Sequence, residues 1–106
     1  MGNKLKREYR ELMLIAYERE IEKHLNKIYI NFLEWKDDKI CAGELSKIIH
    51  EYDTGPSKEM FFRYNNIIPE ASVARGLALG LLNREELSDS AYEGIENQIS
   101  FYKDNK

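Results

Sequence analysis

From Asn3 to Ala42 the chain holds neither glycine nor proline, and apolar residues recur there at helical spacing. They do not keep to one side. Leu5, Tyr9, Leu12 and Ala16 make one stripe, while Leu14, Ile21, Leu25, Ile28, Phe32 and Trp35 make another built on alternating three- and four-residue steps. At roughly 100° per residue the two stripes fall on nearly opposite faces. A helix over this span reaches roughly 50 Å, whereas a compact domain of this size has a radius of gyration near 13 Å. Two arrangements satisfy the pattern. Either the helix breaks between Tyr17 and Glu20, or it is continuous and its halves contact different things, with Leu12 to Tyr17 buried all round. Both predict a partner, most simply a second copy; the alternative is that later helices wrap around both sides.

Beyond the polar break at Lys36, Asp37, Asp38 and Lys39, the run Cys41-Ala-Gly-Glu44 occupies the positions of a capping box, with cysteine in place of serine or threonine. A second helix follows, with Leu45, Ile48, Ile49 and Tyr52 inward, and ends at the turn Asp53-Thr54-Gly55-Pro56. Pro56 suits the first turn of a third helix, whose apolar residues are Met60, Phe61 and Tyr64 with Phe62 on a neighbouring face; Asn65 and Asn66 stop it. After Pro69, Glu70 to Leu82 is so rich in small and aliphatic residues that the spacing predicts a central helix, with Gly76 and Gly80 allowing close approach of a neighbour. Asn83 ends it. Ser88 or Asp89 caps a last helix with Ala91, Tyr92, Ile95, Ile99 and Tyr102 facing in. The whole, residues 1–106, predicts a single all-α domain: a small bundle of about five helices with a long N-terminal helix.

Composition narrows this picture modestly. A third of the residues are charged but the net charge is only −3, so attraction to nucleic acid or anionic membrane requires a local basic patch. The lone Cys41 has no internal disulfide partner and no zinc-ligand neighbours, which fits a reducing cytoplasm. The apolar runs Leu12 to Tyr17 and Leu77 to Leu82 are too short to span a bilayer, and the chain reads as soluble and unprocessed.

Candidate chemistry is sparse. His24 and His50 lie on different predicted helices, neither with a second His or Cys at three or four residues, so no metal site or cofactor is expected. His50 and Asp53 flank the tight turn and supply a conceivable acid or base, yet no nucleophile with a fixed base, phosphate loop or paired carboxylates accompanies them. No catalytic residue is assigned and no enzymatic activity is expected. Arg75 lies among Ala71, Leu79 and Leu82 on the helical wheel, so its guanidinium requires an acceptor; Asp53, Glu51 and Glu44 are the candidate carboxylates, and a bound anion is the alternative.

The reading that follows is a small cytoplasmic interaction or regulatory protein, a homodimer or half of a heteromeric complex. Its expected contact surface is Leu5, Tyr9, Leu12, Ala16 and Tyr17 on the long helix, with the two tyrosines as anchors. Exchanging Leu5 and Leu12 for Asp is then expected to dissolve the assembly and spare the helix. The alternative is a DNA- or RNA-associated regulator. Residues 45–65 have the length and turn glycine of a helix-turn-helix unit, with Lys58, Arg63 and Arg75 as possible nucleic-acid or anion contacts.

Overall fold

A single unbroken helix, α1 (Gly2–Lys36), carries 35 residues in the computed structural model, which describes residues 2–104. It is followed by α2 (Ala42–Thr54), α3 (Pro56–Asn66), α4 (Pro69–Ala78), a 3-10 turn (Arg84–Glu86), α5 (Asp89–Glu93) and α6 (Glu96–Asp104). The described residues hold no strand, so the fold is the small all-α bundle with a long N-terminal helix. Nothing in α1 breaks its ladder of hydrogen bonds, and the change of stripe occurs without a kink residue. The helix sets the long axis of a 55 × 26 × 25 Å molecule, whose radius of gyration of 16.9 Å exceeds that of a compact domain.

Local signals account for most helix boundaries. The Cys41 capping box forms, with the Glu44 amide donating to Sγ and the Cys41 amide donating to the Glu44 carboxylate, both at 3.4 Å. Pro56 and Pro69 open α3 and α4 at positions where the missing amide costs nothing. Two predicted elements differ. The fourth helix stops at Ala78 rather than Leu82: Gly80 takes the left-handed conformation (φ 79°) and the amides of Leu81 and Leu82 turn back to the Gly76 carbonyl. Only Gly76 therefore marks close approach, since a Cβ there would lie 3.0 Å from Leu82 Cδ1 and 3.4 Å from the Ala16 Cβ. The last predicted helix is divided into α5 and α6 at Gly94, where a Cβ would come within 2.7 Å of the Tyr9 hydroxyl.

One buried cluster joins Tyr9, Leu12 and Ala16 of α1 to Met60 and Tyr64 of α3, Val73 and Ala74 of α4, Leu81, Leu82 and Leu87 of the connection, and Ala91, Ile95 and Ile99. Inside it the Tyr9 hydroxyl donates to the Ala91 carbonyl at 2.7 Å, so the phenol is satisfied where burial raises its pKa. Of the α2 side chains, Tyr52 is the one that packs on this cluster; Leu45 is buried outside it. The segment Leu12 to Tyr17 is not buried all round, because Leu14 and Ile15 face solvent.

Candidate interaction surface

The first stripe of α1 is the core, and this corrects the expected contact surface. Tyr9, Leu12 and Ala16 are buried, Leu5 is half-buried against them, and the Tyr17 ring lies 4.7 Å from the Tyr64 ring. Their apolar atoms are already used by α3, α4 and α5. Leu12→Asp would place a charge in that core, so its expected effect is loss of the fold rather than loss of an assembly.

The structure pins this arrangement through Glu20, which stands one turn beyond Ala16 on the same stripe. Arg75 of α4 donates two hydrogen bonds to the Glu20 carboxylate, both at 2.9 Å, the Tyr64 hydroxyl donates a third at 2.8 Å, and the Arg63 guanidinium lies 3.8 Å away. Burial pushes the carboxyl up, but the hydrogen bonds from Arg75 and Tyr64 and the two arginine charges outweigh it, and Glu20 titrates below its ordinary value. The bonds to Glu20 in turn hold the Arg75 guanidinium above its own. Arg75 thus has an internal carboxylate, and that carboxylate is Glu20 rather than Asp53, Glu51 or Glu44. A second bidentate pair, Arg19 to Glu86 at 2.7 and 2.8 Å, ties α1 to the 3-10 turn, and Arg19 also donates to the Leu81 carbonyl.

These bonds decide what remains for nucleic acid. Arg75 and Arg63 turn toward Glu20, and of the three candidates Lys58 is left exposed. The helix that would enter a groove presents Phe61 and Phe62 to solvent. His50 and Asp53 are both exposed on α2, and among the described residues no hydrogen bond or ion pair joins either to Arg75. The described residues also hold no group of three or more His, Cys, Asp or Glu side chains placed to bind a metal ion.

The second stripe has a different fate. Past Glu20, one flank of α1 meets α2: His24, Lys27, Ile28 and Asn31 border a groove whose other wall is Ile48, Glu51 and Tyr52, and the His24 and Tyr52 rings lie 5.7 Å apart. The opposite flank is open. Leu25 (48% exposed), Tyr29 (62%), Phe32 (39%) and Leu33 (47%) face solvent, with Leu14 and Ile15 continuing the face toward the N-terminus. Phe32 meets the edge of the Trp35 ring at 6.4 Å, and the Lys36 ammonium sits 5.0 Å from that ring. Leu25, Tyr29, Phe32 and Leu33 form one apolar patch, and the exposed Glu18 and Glu22 separate it from Leu14 and Ile15. Reading the sequence placed Leu25 and Phe32 on this stripe but missed Tyr29 and Leu33, which widen it; both lie one residue beyond seam positions, at Ile28 and Phe32.

The fold and this face define the class: a helical bundle with a solvent-exposed apolar helix face. No described helix is long and apolar enough to cross a membrane. Comparison with protein-family models, curated proteins and solved structures yields no match.

Proposed function

We propose that the chain is a non-catalytic protein-interaction module of the reducing cytoplasm whose working surface is the open face of α1, centred on Leu25, Tyr29 and Phe32. The observation that carries this reading is the exposure of large apolar side chains in helical register, on a segment whose opposite flank is already packed. Two aromatics with aliphatic neighbours and a polar border are what protein interfaces use as anchors. Occlusion of this face by a partner would remove it from water without altering the bundle.

The test is a photo-reactive benzophenone side chain placed at Phe32 and, as control, at Glu93 on α5, in the native cells. A discrete adduct is expected at position 32, none at position 93, and loss of the adduct when Leu25→Asp is added. Adducts of equal strength at both positions, or none at either, overturn the reading.

A further inference from the structure

We infer that α2 is a detachable cover over one flank of this face, and that its release from an otherwise intact bundle sets how much of the later half of α1 a partner can reach. The inference rests on the interaction reading above and goes beyond it by naming a device within the chain that controls access.

Three observations carry it. First, what α2 hides belongs to the same stripe as what is open. Ile28 stands between Leu25 and Phe32 at steps of three and four residues, yet it borders the groove walled by Ile48, Glu51 and Tyr52 while Leu25 and Phe32 face solvent. Lifting α2 joins Ile28 to the open patch. Second, α2 is lightly held. Leu45 is its one buried residue, Ile48 and Tyr52 are partly buried, and Ile49 is exposed. Its side-chain hydrogen bonds stay local, between Glu44 and the cap residue Cys41 and from Thr54 to the His50 carbonyl, and among the described residues neither a side-chain hydrogen bond nor an ion pair joins α2 to another element. By contrast α1 is bonded to α3 through Tyr64, to α4 through Arg75, and to the N-cap of α5 through Glu8, whose carboxylate accepts from the Ser88 amide at 2.8 Å and from its hydroxyl at 2.7 Å. A helix that rests on a few apolar contacts opens at a lower free energy than the core, as a unit of its own. Third, the chain is long enough to let it go. Unwound, residues 37–55 reach roughly 60 Å, more than the 55 Å length of the whole molecule, so α2 leaves without moving α1 or α3.

The test is native-state hydrogen exchange on wild type and Leu45→Ala, combined with the benzophenone probe at position 32 in the native cells with and without Leu45→Ala. Amides of α2 are expected to exchange at least about tenfold faster than those of α4 in wild type, and Leu45→Ala is expected to speed α2 by a further factor of about ten or more while α4 keeps its protection. The position-32 adduct is expected to keep its mass and to grow severalfold when Leu45→Ala is added. Equal protection of α2 and α4 in wild type, or a Leu45→Ala chain in which α4 loses protection as fast as α2, makes α2 part of the cooperative core and overturns the inference; an adduct at position 32 then leaves the interaction reading standing. Separate opening of α2 with an unchanged adduct overturns its role as a cover. Separate opening with no adduct in either chain overturns the interaction reading and the inference with it.

Discussion

Leu12 and Leu25 are the same residue type on one helix, and their truncation should separate its two faces by energy. Leu12 is 4% exposed inside the main cluster, so Leu12→Ala removes buried methyl groups and leaves a cavity walled by several elements. Core truncations of this kind cost about 3–5 kcal/mol. Leu25 keeps about half its surface in water, no cavity forms when it is cut back, and at most about 1 kcal/mol of transfer free energy is at stake. The difference of about 2 kcal/mol or more corresponds to a gap in Tm of roughly 10 °C for a domain this size. Urea unfolding followed by far-UV dichroism at low protein concentration reads both losses. Equal losses for the two variants at low concentration would mean that the open face belongs to the fold, and the assignment of the two stripes would be refuted.

Two further outcomes test the packing that orients the helix. Glu20→Gln leaves Arg75 and Arg63 without a charged acceptor at a site where both Glu20 and Arg75 are largely buried, and is expected to cost about 2–3 kcal/mol. Because the folded state holds the Glu20 carboxyl below its ordinary value, its contribution is present above about pH 4.3 and is lost as the pH falls through the lower folded value. The acid limb of stability against pH should therefore be shallower in Glu20→Gln, and superimposable limbs would refute the role. Gly94→Ala is expected to destabilise wild type by about 1 kcal/mol, since its Cβ displaces the Tyr9 hydroxyl from the Ala91 carbonyl. In a Tyr9→Phe background the same change should be neutral or stabilising; the same sign and size in both backgrounds, measured as a double-mutant cycle, would refute the clash.

Much of the fold was legible because local chemistry set it. The capping box at Cys41 and the helix-opening prolines act within a few residues, and the spacing of apolar side chains marks each helix however the helices later pack. The site was less legible for the same reason. Two apolar stripes on one helix look alike in sequence, and which one the bundle claims depends on residues 55 to 82 positions away, such as Arg75 from Glu20 and Ala91 from Tyr9. One signal was present and unread: counting four residues on from Ala16 along the first stripe reaches Glu20, a carboxylate on an apolar face. Only a buried cation makes that tolerable, and Arg75 needs the complementary acceptor. Pairing the two identifies the first stripe as the interior and leaves Leu25 and Phe32 of the second outside. Gly80 illustrates the opposite limit, since glycine serves equally for close packing and for positive φ, and only the backbone tells them apart.

The polar cluster at Glu20 also explains how a fold that uses only half of a long helix can present the other half with definition. Apolar packing alone tolerates small rotations of a helix about its axis, because methyl groups make contact in many neighbouring registers. A bidentate arginine–carboxylate pair does not, since both hydrogen bonds require the two planes to align, and here a tyrosine hydroxyl fixes the same carboxylate from a second helix. The Arg19–Glu86 pair, at the adjacent position of α1, adds a second bidentate lock. Between them these contacts set the direction in which every later residue of α1 points. Rotation by a single residue position, about 100°, in the sense that brings each preceding residue round would put His24, Lys27, Asn31 and Glu34 where Leu25, Ile28, Phe32 and Trp35 stand. The bundle thus contributes to the surface without touching it, by fixing which face of residues 21–36 meets water.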